Sequence, residues 1–424
     1  HLSLRRQRQM CIRDSIYFSV VLQMLSNIAL SLSLLLTSFI SKTTATTDTE
    51  VDQIWFANVG FNGYYDIVEH VAGNSECECY IMEDDYHYFE GSNAPLNEPL
   101  SVHFRGPLIL HKFAFYTSDA FYADESSSSS SDWTRAAFYN DSDTSSASNV
   151  TFMTHEGDSS DCLGKAICYA DDTGIGAADN ATILAEDTLI ESDDEFIIFS
   201  NISCPDSSVY DTCGVYRDGI PAYEGFYGDV KMFLFEFEAP TETQTNSSSF
   251  SAYDMPAIWL LNSKIPRQSQ YPTNSNCSCW ASGCGEFDIF EVLNGSTTGQ
   301  FFSTFHTFQG VSDIETGLTQ DAYIARDTNS TMIGGVVFDT NGNTITFMTD
   351  SLTFDDSITA SDILDIIKDN EDDESTTTLS SVSVTYTATS ITGTTTSYKN
   401  EVANMYNSRL ASIASFLLVL FNIL

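Results

Sequence analysis

The chain of 424 residues carries 17 Lys and Arg against 59 Asp and Glu, a formal charge of −42, and is 12% aromatic but only 18% charged. So acidic a molecule is repelled by nucleic acid and by an anionic membrane face, which excludes both and leaves a neutral partner such as a polysaccharide. With 42% apolar residues it can build at least one large core.

Residues 1–15 hold four Arg against one Asp and match nothing downstream. They read as translated adapter and are set aside, Cys11 with them. A start at Met24 puts the apolar stretch Ile28–Ile40 ahead of Thr43-Thr44-Ala45, with small residues where a signal peptidase reads. Residues 16–45 are therefore expected to be a secretory signal, too short to span a membrane. Eight Asn-x-Ser/Thr sequons suit that route as glycosylation sites: Asn140, Asn149, Asn180, Asn201, Asn246, Asn276, Asn294 and Asn329.

From 51 to 118 the pairs Val102/Phe104, Leu108/Leu110 and Phe113/Phe115 alternate in short runs broken by Gly and Pro, the pattern of a small N-terminal β domain. Residues 119–132, with six serines at Ser126–Ser131, read as a flexible linker. The segment 133–368 repeats short strand patterns with almost no helical periodicity, which predicts an all-β sandwich or jelly roll. Val230–Glu238 and Gln300–Phe308 read as strands, and Asn341-Gly342 as the turn of a hairpin. Residues 369–409 are acidic and then rich in Ser and Thr, a stalk that cannot bury a core. The apolar stretch 410–424 after it reads as a GPI-anchor signal, the expected means of membrane attachment. No phosphate-binding glycine loop or βαβ alternation is present, so no cofactor is expected.

Nine cysteines remain: Cys77, Cys79, Cys162, Cys168, Cys204, Cys213, Cys277, Cys279 and Cys284. In a secreted chain they should mostly be disulfide-bonded, with Cys204–Cys213 and Cys162–Cys168 as plausible local closures and one cysteine left over. Cys277-x-Cys279-x₄-Cys284 lacks a second Cys pair or a His pair, so no metal is expected there.

The chemistry sits in Gly285-Glu286-Phe287-Asp288-Ile289-Phe290-Glu291-Val292-Leu293. Aromatic and branched residues make this a strand, yet it places three carboxylates in an apolar run, and acids are buried only when paired or used. Glu286 and Asp288 share a face, whereas Glu291, five residues on, needs a β-bulge after Asp288 to join them. About four strand steps then separate the Glu286 and Glu291 backbones by ~13 Å. Two glutamates leaning inward suit the carboxyl separation of a retaining glycosidase.

EFDIFE resembles the E-x-D-x-x-E signature of glycoside hydrolase family 16, and Met255–Leu261 resembles the PAIWLL strand that precedes it. The resemblance extends to the fungal Tos-type cell-wall proteins, a family of endo-β-1,3-glucanases (glucan endo-1,3-beta-D-glucosidases). Asp132–Arg135, Lys264–Cys284, Phe305–Gly310, Ala94–Gly106 and Cys77-Glu78-Cys79 carry it. It implies a concanavalin-like jelly roll with Glu286 as nucleophile, Asp288 as its assistant and Glu291 as general acid/base. In the roles implied by this resemblance, repulsion should raise the pKa of Glu291 while Glu286 stays ionised, giving an activity optimum at roughly pH 4–6. His306 would face the same cleft, while Trp259 and Trp280 either stack on sugar or belong to the core. The function so implied is β-1,3-glucan hydrolysis at the cell wall, as a secreted, GPI-anchored protein in wall organisation or remodelling. Transglycosylation on the same site and a non-catalytic, glucan-binding structural role are the alternatives.

Overall fold

The computed structural model describes residues 48–393 apart from 73–77, 271–273, 371–372, 383 and 388–389. The adapter stretch, the secretory signal, the anchor signal, the last part of the stalk and Cys77 lie outside the described residues.

Period-two alternation becomes strands almost throughout. In chain order the main ones are β1 (Gln53–Ala57), β2 (Gly63–Ala72), β3 (Glu78–Phe89), β4 (Leu100–Arg105), β5 (Leu108–Thr117) and β6 (Trp133–Asn140). There follow β7 (Thr151–Thr154), β8 (Glu195–Phe199), β9 (Lys231–Glu238), β10 (Ala257–Asn262) and β11 (Glu286–Glu291). The last are β12 (Gln300–His306), β13 (Ala322–Ala325), β14 (Met332–Phe338), β15 (Thr344–Thr349) and β16 (Glu374–Thr378). They stack as a jelly-roll sandwich. The front sheet runs β13-β12-β11-β10-β4-β8-β7 and the back sheet β6-β5-β9-β14-β15-β1-β16, each with short strands added.

Residues 51–118 supply β1, β4 and β5 to these sheets and the hairpin β2–β3, which pairs only with itself as a small β unit outside both. β4 lies between β10 and β8, and β5 between β6 and β9, so this segment sits at the centre of both layers. Inward-facing phenylalanines fill the gap between the sheets. Phe104 stacks on Phe196 at 4.6 Å between centroids, and Phe287 packs on Phe305 at 4.3 Å. Each fully buried Phe stabilises the fold by about 1.5–3 kcal/mol.

Three stretches depart from the sequence reading. The serine-rich linker docks, because Phe121 is fully buried against Trp133 and its neighbour Ala123 donates an N–H to Asp339. A helix, α2 (Ala360–Asp369), interrupts the β pattern: Thr359 and Asp362 form a capping box, and Ile363, Leu364 and Ile367 pack on the back sheet. The start of the stalk is β16, which pairs in parallel with β1 and ends at the buried Leu379. The hairpin at Asn341-Gly342 forms as expected; Gly342 has φ +80, and a Cβ there would lie 2.5 Å from the Val59 carbonyl.

On the outer face of the front sheet, Met153, Ile197 and Phe199 are buried in one cluster with Ile167, Ile220, Tyr223 and Tyr169, the last on the adjoining strand opposite Met153. The short helix α1 (Lys264–Gln268) locks this cover: buried Arg267 donates to the Cys213 and Tyr223 carbonyls. Half of the face is thus closed and half is left open.

Because β4 and β5 are central strands, residues 131–368 expressed without 51–118 are expected to show no cooperative thermal transition. A two-state melt of that fragment, followed by near-UV circular dichroism, would contradict this arrangement.

Candidate active site

The open half of the front sheet holds a cleft of about 360 Å³ lined by Glu286, Asp288 and Glu291, with Trp259, Trp280, His306 and Arg105 around them. The register slips between Asp288 and Glu291, as the spacing requires. Trp259 on β10 faces Asp288 and Ile258 faces Phe290, which leaves Ile289 as the extra residue. Phe287, Ile289 and Phe290 all enter the core, so two consecutive residues point inward and Glu291 returns to the cleft face. The Ser303 hydroxyl donates to the carbonyl of Ile289 at 2.8 Å, satisfying the group that the bulge takes out of the ladder. Gly285 opens the strand at φ +101, where a Cβ would meet Pro95 and Leu96 at 2.9 Å.

Each carboxylate has a dedicated partner. Trp280 donates its indole N–H to Glu286. His306 donates Nδ1–H to the Ile314 carbonyl at 2.6 Å and Nε2–H to Asp288 at 3.0 Å, an arrangement that needs both ring nitrogens protonated. Arg105 on β4 donates Nε–H to the Met255 carbonyl at 2.8 Å and reaches Glu291 at 3.2 Å.

Burial governs the electrostatics. It pushes the Glu286 carboxyl up, the charge of Asp288 adds to this, and the group reaches about 8 despite His306 and Trp280. Glu291 rises for the same two reasons to about 7, with Arg105 opposing. For His306 burial works against the charged ring, but Asp288 and Glu286 outweigh it and raise it to about 10. The expectation that Glu286 stays ionised therefore fails: the residue is only 7% exposed, and water cannot stabilise its charge.

All the site residues singled out in the sequence meet here, in different ways. Trp280 is half-buried at the cleft, while Trp259 is 4% exposed and stacks on His103 at 5.0 Å, a core residue whose edge forms the cleft floor. Arg105 was missed. It lies 186 residues before Glu291, and no local pattern ties the two. Glu315 and Thr316 also line the cleft from the loop after β12.

The disulfides bear on the site as well. Cys279–Cys284 closes the turn that carries Trp280, and Cys79–Cys277 ties that turn to β3. Cys204–Cys213 forms as expected. The Cys162–Cys168 closure does not: Cys162 is disulfide-bonded elsewhere, whereas Cys168 is the free thiol, its S–H directed at the Thr154 carbonyl. Among the sequons, Asn180, Asn201, Asn246, Asn276, Asn294 and Asn329 are exposed, whereas Asn140 and Asn149 are partly buried.

Two family models match the chain: cell wall protein YJL171C/Tos1, N-terminal, over residues 52–118, and its C-terminal counterpart over residues 131–366. The chain is 49% identical over 371 residues to the probable circularly permuted 1,3-beta-glucanase PGA52 of Candida albicans, covering 87% of this chain and 93% of that one. It is 53% identical over 322 residues to the probable circularly permuted 1,3-beta-glucanase YJL171C of Saccharomyces cerevisiae, covering 74% and 80%. The corresponding TOS1 protein of Saccharomyces cerevisiae is 41% identical over 51% of this chain and 45% of its own length. No solved structure matches.

The raised Glu286 carboxyl has a stability signature. An unfolded Glu releases its proton near 4.5, whereas the folded one holds it up to about 8, so the folded chain loses relative stability across that window as pH rises. Glu286→Gln removes this loss. The difference in Tm between variant and wild type is expected to grow in the variant's favour from pH 4.5 to 8 and then level off. A pH-independent difference by scanning calorimetry would count against the buried carboxyl.

Proposed function

Because the chain belongs to the YJL171C/Tos1 family of fungal cell wall proteins, we propose that it is a secreted, wall-associated enzyme that cleaves β-1,3-glucan by a retaining mechanism. One observation carries this reading: Glu286 and Glu291 open into a single cleft from either side of Asp288 on a bulged strand. Glu291, aimed by Arg105, protonates the departing glycosidic oxygen. Glu286, steadied by the Trp280 indole, attacks the anomeric carbon and forms a glycosyl-enzyme. Glu291 then takes a proton from water, or from the hydroxyl of a second glucan chain, which attacks in turn. Asp288, neutralised by His306, holds the proton traffic between the two glutamates, since it hydrogen-bonds Glu291 as well. Three described disulfides suit an oxidising route, and the exposed sequons suit glycosylation on it. Attachment through a GPI anchor, with residues 410–424 as the signal that is removed, rests on the sequence pattern alone.

Glu286→Gln and Glu291→Gln are each expected to lower reducing-sugar release from laminarin by about 10²–10⁴-fold. On a substrate with an activated leaving group the Glu291 variant should keep its first step and yield a β-glycosyl azide with added azide. Equal residual rates in both variants, with no azide product, would overturn the roles. The non-catalytic alternative requires that the wild type bind laminarin without turnover.

With Glu286 at about 8 and Glu291 at about 7, the pair holds one proton near neutrality, not at pH 4–6; it rests on Glu286 and must pass to Glu291 before Glu286 attacks. The profile of kcat/KM against pH, which reports the free enzyme, is expected to peak above pH 6. A maximum near pH 5 would overturn this reading of the pair.

A further inference from the structure

A second cavity, of about 260 Å³, lies beside the hairpin β2–β3 and shares no lining residue with the carboxylate cleft. Two stretches distant in sequence meet at it, one with Asn97 and Glu98 and the other with Asn262 and Lys264. Its floor is polar and ordered. The Glu98 carboxylate accepts from the Tyr65 hydroxyl at 2.7 Å, Asn262 Nδ2 at 2.6 Å and His87 Nε2 at 2.5 Å. Lys264 is different. Its ammonium sits over the Tyr65 ring, and its one hydrogen bond among the described residues, 3.5 Å to the Tyr65 hydroxyl, is longer than a normal one. Half-buried and facing the Glu98 charge, the ammonium still keeps donors free for a further acceptor.

The mouth is aromatic. Tyr227 lines it while 60% exposed, and Phe89 forms part of the wall. Glu90 and Asp229 also line the cavity, so an anion is repelled by its walls as well as by the charge of the whole chain. For a cation the three carboxylates are attractive but Glu98 is already taken by Tyr65, Asn262 and His87, and the Lys264 ammonium faces the same space. The remaining chemistry is that of a neutral, hydroxyl-rich ring with one apolar face: the face lies on Tyr227, and the hydroxyls reach Lys264, Asn97 and Asp229. The volume lies just below the ~300–1,000 Å³ of sites that take drug-sized ligands, which suits a single sugar ring.

We propose that this cavity is a second saccharide site, which holds one unit of a neutral glucan chain apart from the cleft where chemistry occurs. The glucan identity rests on the function proposed above; the sugar class rests on the cavity itself. Such a site would keep the enzyme on its polymer between turnovers.

The test is isothermal titration of the full-length chain carrying Glu286→Gln with laminaritetraose. Two binding sites are expected. Adding Tyr227→Ala, which removes a 60% exposed ring and its hydroxyl's hydrogen bond to Asp229, should weaken the second site by about tenfold, the worth of one aromatic contact. Lys264→Gln should weaken the same site and leave the first alone. A single site in the Glu286→Gln protein, or two affinities that neither change moves, overturns the proposal. Tyr227-dependent binding by a wild type that releases no sugar from laminarin would instead sink the glucanase reading and leave this site standing.

Discussion

The front sheet must bury three carboxyl groups on one strand with two cations to meet them among the described residues. His306 faces Asp288, and Arg105 faces Glu291. Two positive charges compensate two negative ones, so the third carboxyl is held neutral by the cost of a further buried charge. The pair of glutamates therefore holds one proton, which rests on Glu286 in the free cleft, and the roles proposed above require it to pass to Glu291 when substrate enters. The proton count of the site therefore follows from its charge partners and its dryness, and no single residue fixes it.

The surroundings maintain that dryness and geometry. Trp280 reaches Glu286 from a turn closed by Cys279–Cys284 and tied to β3 by Cys79–Cys277, while the Ser282 hydroxyl on the same turn receives the Asp66 N–H of the hairpin. A small unit outside the sheets thereby fixes an indole beside Glu286. On the other flank, Ile220 and Tyr223 cover β8, so His103, next to Trp259, is fully buried. The cleft is bounded on that side by packed side chains and on the other by the loop bearing Glu315 and Thr316.

Much of this was legible in the sequence. Period-two alternation identifies strands locally, and an odd spacing of acids on a strand demands a bulge whatever surrounds it. Trp280 and His306 lie close in sequence to the acids and could be found with them. Burial was harder to read. That Glu286 is dry depends on what covers it, and the cover comes from the hairpin and from a turn shaped by disulfides. Cys168 is free because Cys162 pairs elsewhere, which spacing cannot reveal. The strand β16 has no apolar alternation, since Ser and Thr suffice at a sheet edge half open to water. The helix α2 announces itself through the Thr359 and Asp362 cap and through Ala360, Ile363, Leu364 and Ile367 at helical spacing, signals that a search for strands passes over.

Arg105 shows why the remainder was out of reach. It belongs to the N-terminal segment, on the far side of a serine-rich stretch that reads as a domain boundary, yet it bonds to Glu291 across β10. Antiparallel pairing places Ala257 opposite both Arg105 and Glu291, so the contact is set by register between three strands and by no motif. The same pairing makes β4 a central strand. A chain that takes its charge balance from one segment and its acids from the other cannot separate them without losing both the sheet and the site.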